Sequence, residues 1–143
     1  MLYVLCGISG SGKTTVLEAT LQRAPHLARL VTWTTRAPRP GEVSGRDYHF
    51  LTASHFATLI EKEFLICPIQ YRGEWYATAL ADLRACAHQD TLAVLRPDKL
   101  ADLTAYTPIS GIYLEMVGKS APLEDEDQII VAHQSACWAR LSN

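Results

Sequence analysis

The chain has 143 residues, of which 48% are hydrophobic and 20% charged, values that fit one globular domain and exclude a disordered segment. Its net charge of −2 gives no reason to expect general binding to nucleic acid or to an anionic membrane. Four cysteines at positions 6, 67, 86 and 137 lack metal-ligand spacing and are predicted to be free thiols. No stretch is long enough to cross a bilayer, and the cytoplasm is the expected compartment.

A phosphate-binding loop follows the first predicted strand. Residues 7–14 spell GISGSGKT, which fits GxxxxGK[ST]. Residues 2–6 predict a buried strand and not a signal peptide, and residues 15–23 predict a helix, so the motif has its required setting. Loop N–H groups and the helix N-terminus surround a phosphate with donors, and a glycine-rich turn without a ligand is the alternative. The charge of Lys13 suits phosphate, and the hydroxyl of Thr14 suits Mg²⁺. The residues expected to contact a polyphosphate are Ser9, Gly10, Ser11, Gly12, Lys13, Thr14 and Thr15.

A stiff, basic segment follows a second strand, which is predicted at residues 28–33. Residues 34–50, TTRAPRPGEVSGRDYHF, contain two prolines, two glycines and three arginines. Arginine on a restrained backbone suits phosphate, because the guanidinium fork matches the oxygen geometry and little entropy is lost on binding. A solvated surface loop is the alternative on charge alone.

The rest of the chain alternates helices and strands. Ser54 is predicted to cap a helix that ends near Glu61. Strands are predicted at 64–70, 75–78, 91–95, 111–117 and 128–132, and helices at 79–88, 97–106 and 135–141. This order predicts an α/β fold with a mainly parallel sheet, helices on both faces and ligands beyond the carboxyl ends of the strands. With no repeat or linker in the sequence, residues 1–143 are predicted to form one domain.

The basic segment closely resembles the acceptor segment of guanylate kinases, TTRxPRxGExxGxDYxF, from Thr34 to Phe50. Residues 71–78, YRGEWYAT, resemble the hairpin of that family that ends in YYG[ST]. The resemblance implies a P-loop kinase fold in which residues 34–78 form an inserted β-subdomain that binds a nucleoside monophosphate. The acceptor-binding residues it implies are Thr32, Arg36, Arg39, Tyr48, Tyr76 and Thr78.

The activity that the resemblance implies is transfer of the γ-phosphoryl group of ATP to a nucleoside or deoxynucleoside monophosphate, GMP or dGMP. Lys13, Arg36 and Arg39 are the implied catalytic residues, and Thr14 is the implied Mg²⁺ ligand. No side-chain nucleophile is needed, because an oxygen of the acceptor phosphate attacks directly. No membrane partner is expected, and a homodimer is left open.

The chain departs from the family pattern at three places. Residues 64–68, FLICP, lack the FxEW glutamate that reads guanine. The acidic DxDxxG pattern is replaced by residues 94–98, VLRPD, where Asp98 fits only at a shifted register. Residues 118–127 form a shortened lid loop without arginine, which leaves Lys119 or a neighbouring subunit to supply positive charge.

These departures keep two alternative functions open. One is a catalytically weak or inactive module that binds a nucleotide or a phosphopeptide. The other is a kinase of another phosphorylated small molecule or of a modified nucleotide.

Overall fold

The architecture combines two sheets with four helices in the described part of the chain. The computed structural model describes residues 1–7, 11–96, 99–117 and 128–133. The elements are β1 (Leu2–Gly7), α1 (Lys13–Arg23), β2 (Ala28–Arg29), β3 (Trp33–Thr34), β4 (His49–Phe50), α2 (Ala53–Glu61), β5 (Leu65–Tyr71), β6 (Glu74–Ala79), α3 (Leu80–Ala85), β7 (Thr91–Val94), α4 (Leu100–Leu103), β8 (Ile109–Val117) and β9 (Gln128–His133). The closing helix expected at 135–141 and the lid loop expected at 118–127 lie outside the described residues.

The main sheet has five strands in the order β2-β7-β1-β8-β9. Strand β1 pairs in parallel with β7 and β8, and β7 pairs in parallel with β2. Only the β8–β9 pairing among these is antiparallel. The expected mainly parallel sheet is therefore confirmed, and the carboxyl end of β1 leads into the glycine-rich loop.

Helices cover both faces of the main sheet, as predicted. Alternate side chains of a strand point to opposite faces, so Leu2 and Val4 enter one core cluster while Leu5 enters another. The first cluster includes Leu83 of α3 with Leu100 and Leu103 of α4. The second joins Leu5 and Leu92 to Leu17 of α1. No helix in the described ranges is long and apolar enough to span a membrane.

The second sheet has four strands in the order β4-β3-β6-β5. One of its faces packs on α2 through a cluster of Phe56, Leu65, Ala77 and Ala79. Trp33 joins this cluster, and its ring stacks on His49 with 4.2 Å between ring centroids. The other face is free of this helix and carries the polar groups described below.

The prediction of one strand over residues 28–33 is wrong. Two short strands occupy this stretch, and they belong to different sheets. The Leu30 N–H still bonds the Leu92 carbonyl of the main sheet at 2.9 Å, whereas the Thr32 carbonyl accepts from His49 N–H of the second sheet at 2.9 Å. The chain therefore crosses between sheets within residues 30–32, which a run of β-forming residues does not reveal.

Several predicted helix boundaries also need correction. Thr52, and not Ser54, caps α2, because its Oγ1 accepts from the His55 N–H at 3.3 Å. Helix α3 ends at Ala85 and does not reach His88, since the next residues form turns with bonds such as Ala87 N–H to the Arg84 carbonyl. Helix α4 is limited to four residues, and α1 begins earlier than expected, at Lys13.

Candidate active site

The donor side of the site is the junction between β1 and α1. Gly12 precedes the helix with φ of 82°, in the left-handed region that glycine enters at little cost. Because the N-cap residue of α1 is a glycine, it has no side chain that could cap the helix. Ser11 is almost fully buried, whereas Thr14 and Thr15 are exposed in the first turn of α1. Ser9 and Gly10, also expected to contact phosphate, lie outside the described residues.

Lys13 folds back over this loop. Its Nζ donates to the Gly7 carbonyl at 2.8 Å and to Ser11 Oγ at 3.3 Å. Burial lowers the pKa of Lys13, and the nearby Cys6 thiol opposes that change. The ammonium group is thus held beside the loop by two neutral oxygens, in a place where an anionic phosphate would stabilise its charge more strongly.

The acceptor side is the face of the second sheet that turns away from α2. Thr34 pairs with Phe50 of β4 and with Tyr76 of β6, and Thr78 pairs with Ile66 of β5. Directly opposite residues share a face, and alternate residues of a strand return to that face. The register therefore gathers these five residues on one face, while Trp33 and Ala77 lie on the other.

Arg36 is the charged centre of this face. Its Nη1 and Nη2 each donate to a different carboxylate oxygen of Glu42 at 2.8 Å. The side chains are only 15% and 19% exposed, so solvent screens the pair less than it would a surface ion pair. Hydrogen bonding to Glu42 raises the pKa of Arg36, and the same contact lowers the pKa of Glu42.

Two tyrosines complete the surroundings of Arg36. The guanidinium carbon lies 5.1 Å from the ring centroid of Tyr48, and Tyr48 packs edge-on against Tyr76 at 6.1 Å. Burial raises the pKa of Tyr48, so its hydroxyl stays protonated and able to donate at neutral pH. The structure therefore brings together three predicted acceptor residues, Arg36, Tyr48 and Tyr76.

Arg39 is placed differently. Its backbone N–H donates to Glu42 Oε1 at 2.7 Å, and its side chain is exposed at the rim of the site. The charge of Arg39 still contributes to the lowered pKa of Glu42, after larger effects that begin with Arg36.

The two threonines among the predicted acceptor-binding residues, Thr32 and Thr78, are both buried. Thr78 is 0% exposed, and its Oγ1 has no hydrogen-bond partner within the described ranges. Thr32 is 8% exposed and precedes β3. A buried hydroxyl without a partner costs free energy, so the Thr78 side chain is a polar group that the described part of the fold leaves unsatisfied.

Sequence reasoning assigned no role to three residues that build the acceptor site. Thr34 Oγ1 donates to the Trp75 carbonyl at 2.9 Å and accepts from the Arg36 N–H at 3.1 Å. Asp47 Oδ2 accepts from the Val43 N–H at 2.8 Å, which closes the basic loop. Glu42 orients Arg36, as described above. The signal in the sequence is the motif itself, since Thr34, Glu42 and Asp47 are all matched positions of TTRxPRxGExxGxDYxF.

Comparison with known proteins gives the family. The family model described as guanylate kinase matches residues 1–105. The chain belongs to the guanylate kinase family. It is similar to the guanylate kinase of Paramagnetospirillum magneticum, with 52% identity over 66 residues that cover 46% of this chain and 31% of the relative. It is also similar to that of Geobacter metallireducens, with 36% identity over 86 residues, 60% of this chain and 42% of the relative.

A solved structure has the same fold. The crystal structure of guanylate kinase from Anaplasma phagocytophilum superposes with a TM-score of 0.62 at 24% identity, covering 79% of this chain and 58% of that one. At this identity the likeness concerns the fold alone. The matched segments span less than half of the length of these two guanylate kinases.

Proposed function

We propose that the protein transfers the γ-phosphoryl group of ATP to a nucleoside monophosphate, with GMP or dGMP as the acceptor. The observation that carries this proposal is the Arg36–Glu42 pair on a polar sheet face, in a chain whose first loop keeps Lys13 at a helix N-terminus. Family membership supports GMP as acceptor and ATP as donor. A cytoplasmic location is part of the same proposal.

The donor half acts through fixed positive charge. Lys13 exchanges its neutral oxygen partners, Gly7 and Ser11, for phosphate oxygens of ATP. The N-terminus of α1, where Gly12 provides no side-chain cap, offers backbone N–H groups to the same anion. Such donors stabilise the charge that develops on the transferring group.

Thr14 fits Mg²⁺, because its hydroxyl is exposed in the first turn of α1 and Mg²⁺ in phosphoryl-transfer sites takes few protein ligands. No group of three or more His, Cys, Asp or Glu side chains within the described residues forms a separate metal site. When bound, Mg²⁺ would neutralise phosphate charge.

The acceptor half positions the attacking phosphate. Arg36 uses its Nη1 hydrogens on Glu42 and on the Ala37 carbonyl, and one Nη2 hydrogen on Glu42. Arg36 also forms side-chain hydrogen bonds with Tyr48 and Tyr76, and on binding, the acceptor phosphate would take over these N–H and O–H donors. Holding that phosphate in line with ATP converts a bimolecular encounter into an oriented one.

The two alternative functions have less support. A binding module needs no donor loop, yet the GKT sequence of residues 12–14 and its helix are retained. A kinase of another phosphorylated molecule would use the same phosphate-binding residues. The absence of a carboxylate at Ile66, which pairs with Thr78, is compatible with such an acceptor, because Ile66 cannot accept hydrogen bonds from guanine. The guanylate kinase relatives favour the nucleotide acceptor.

A coupled assay with Mg-ATP and a panel of monophosphates (GMP, dGMP, AMP, CMP, UMP and ribose 5-phosphate) tests the proposal. We expect turnover with GMP or dGMP above all others. Turnover with ribose 5-phosphate alone would establish the sugar phosphate alternative. Tight GMP binding with no turnover and no ATP binding would establish the binding module.

A further inference from the structure

Lys99 is a buried lysine outside the predicted catalytic set. It is 2% exposed and immediately precedes α4, on the side of the main sheet that packs against α3. Lysine is rarely so buried, because removing an ammonium group from water is costly unless hydrogen bonds compensate. The groups that the buried Lys99 ammonium contacts therefore indicate its role.

The Lys99 ammonium reaches across to the acceptor sheet. Its Nζ donates to the backbone carbonyl of Tyr76 in β6 at 3.1 Å. Tyr76 is the residue whose side chain lies beside Tyr48 and contributes to the raised pKa of Arg36, after the larger effect of Glu42. A charge at the start of α4, next to the main sheet, thus contacts the backbone of a residue in the proposed phosphate site.

The contacted carbonyl lies next to an irregularity in the acceptor sheet. The β5–β6 register shifts between Ile66 and Ile69, so two residues, Cys67 and Pro68, face Ala77 alone. Cys67 has φ of 52°, and Pro68 has no N–H to give to the strand pairing. The bulge weakens the β5–β6 pairing next to Tyr76. The hydrogen bond from Lys99 to the Tyr76 carbonyl adds a restraint at this place.

A second cation from the same connection contacts the same hairpin. The Arg96 guanidinium carbon lies 4.2 Å from the ring centroid of Tyr71, at the end of β5. Arg96 follows β7, and Lys99 precedes α4. Two residues between β7 and α4 therefore contact the β5–β6 hairpin, Lys99 at a buried point and Arg96 at an exposed one.

We propose that Lys99 is a positioning residue that orients the acceptor sheet relative to the donor loop, with Arg96 as an auxiliary contact. The consequence for catalysis rests on the proposed function. If the hairpin moves freely, Tyr76 and Thr78 occupy their binding positions for only a fraction of the time, and apparent monophosphate affinity falls by that fraction. ATP binding at the loop near Lys13 does not depend on this hairpin.

The test compares Lys99→Met with wild type, with Lys99→Arg as the conservative variant and Lys62→Met as an exposed lysine control. Titration of each protein with GMP and, separately, with ATP gives two dissociation constants. We expect Lys99→Met to weaken GMP binding at least tenfold, to leave ATP binding within twofold, and to be partly rescued by arginine. Arg96→Gln, which alters an exposed contact and should not impair folding, is expected to weaken GMP binding about threefold.

Amide hydrogen exchange without ligand keeps this inference separate from the proposed function. Lys99→Met should speed exchange in β5 and β6 relative to β1 and β7, whether or not the wild type binds GMP. Equal loss of GMP and ATP affinity, unchanged GMP affinity, or uniform faster exchange throughout the fold would each overturn the positioning role. If Lys99→Met does not fold, the Arg96→Gln variant provides the test. Unchanged GMP affinity together with unchanged hydrogen exchange in the β5–β6 hairpin of that variant would overturn the positioning role. Failure of wild-type protein to bind GMP would instead refute the proposed function.

Discussion

Glu42 holds the Arg36 guanidinium through both carboxylate oxygens, with each N–O distance at 2.8 Å. This pairing fixes the plane of the guanidinium, which also interacts with the Ala37 carbonyl and with Tyr48 and Tyr76. The acceptor site therefore depends on a residue that itself need not touch substrate.

Glu42→Gln tests this orienting role. Glutamine keeps one acceptor oxygen but loses the charge and one of the two accepting positions. We expect the KM for GMP to rise about tenfold, corresponding to about 1.4 kcal/mol, with the KM for ATP little changed. Steady-state kinetics with Glu61→Gln, an exposed glutamate of α2, as control would check it. Equal effects of the two substitutions would contradict the role.

The same pair predicts a pH dependence of stability. The folded-state pKa of Glu42 lies below its usual value, so its stabilising contribution is present above about pH 4.3 and is lost as pH falls through the folded pKa. The free energy of unfolding of wild type should exceed that of Glu42→Gln by on the order of 1 kcal/mol at pH 7.

Denaturant titrations at pH 7, 5, 4 and 3 would follow that difference. We expect it to shrink at the two lowest values, because protonated Glu42 no longer carries the charge that pairs with Arg36. A difference that stays constant down to pH 3 would mean that the ionised form is not favoured by folding.

Thr78→Val separates binding from stability. Its hydroxyl is buried without a partner in the described part of the chain, so an isosteric methyl group should leave the free energy of unfolding unchanged or raise it by up to about 1 kcal/mol. If the Thr78 hydroxyl contacts the acceptor as proposed, GMP affinity should nevertheless fall about fivefold. Calorimetric titration and thermal unfolding, with Thr58→Val on α2 as control, measure both quantities. A loss of stability with unchanged affinity would show that Thr78 serves the fold.

Base selection can be tested at Ile66, which pairs with Thr78 and lies where the family pattern has a glutamate. A carboxylate there would accept hydrogen bonds from guanine, and such a contact is worth roughly 1 to 3 kcal/mol. We expect Ile66→Glu to increase the preference for GMP over AMP at least tenfold, at some cost in stability because Ile66 packs against the main core. Ile66→Leu is the size control. An unchanged preference for GMP over AMP would mean that the base does not bind beside residue 66.

The sequence was sufficient for the parts of the fold that local patterns determine. Apolar runs predicted β1, β7, β8 and β9 of the main sheet, and the glycine-rich loop predicted a helix at residues 15–23, which the structure begins two residues earlier, at Lys13. The division of residues 28–33 between two sheets was not predictable, because Leu30 and Thr32 suit a strand in either sheet. It depends on tertiary pairing with Leu92 and His49.

The candidate site, too, contains residues that a local motif predicts and residues whose contacts depend on the tertiary structure. Arg36 and Tyr48 were predictable from the motif, but their mutual contact requires the loop that Thr34 and Asp47 close. Lys99 was not predicted, because its role depends on a contact with Tyr76, 23 residues away in sequence. No local pattern distinguishes such a lysine from an exposed one.

Direct detection of products tests the central claim most directly. Purified protein incubated with Mg-ATP and GMP, then separated by chromatography, should yield ADP and GDP in equal amounts. Lys13→Ala should abolish both products because the donor phosphates lose the positive charge of Lys13, while Lys62→Met should match wild type. ADP without GDP, or equal GDP formation by Lys13→Ala, would contradict the account.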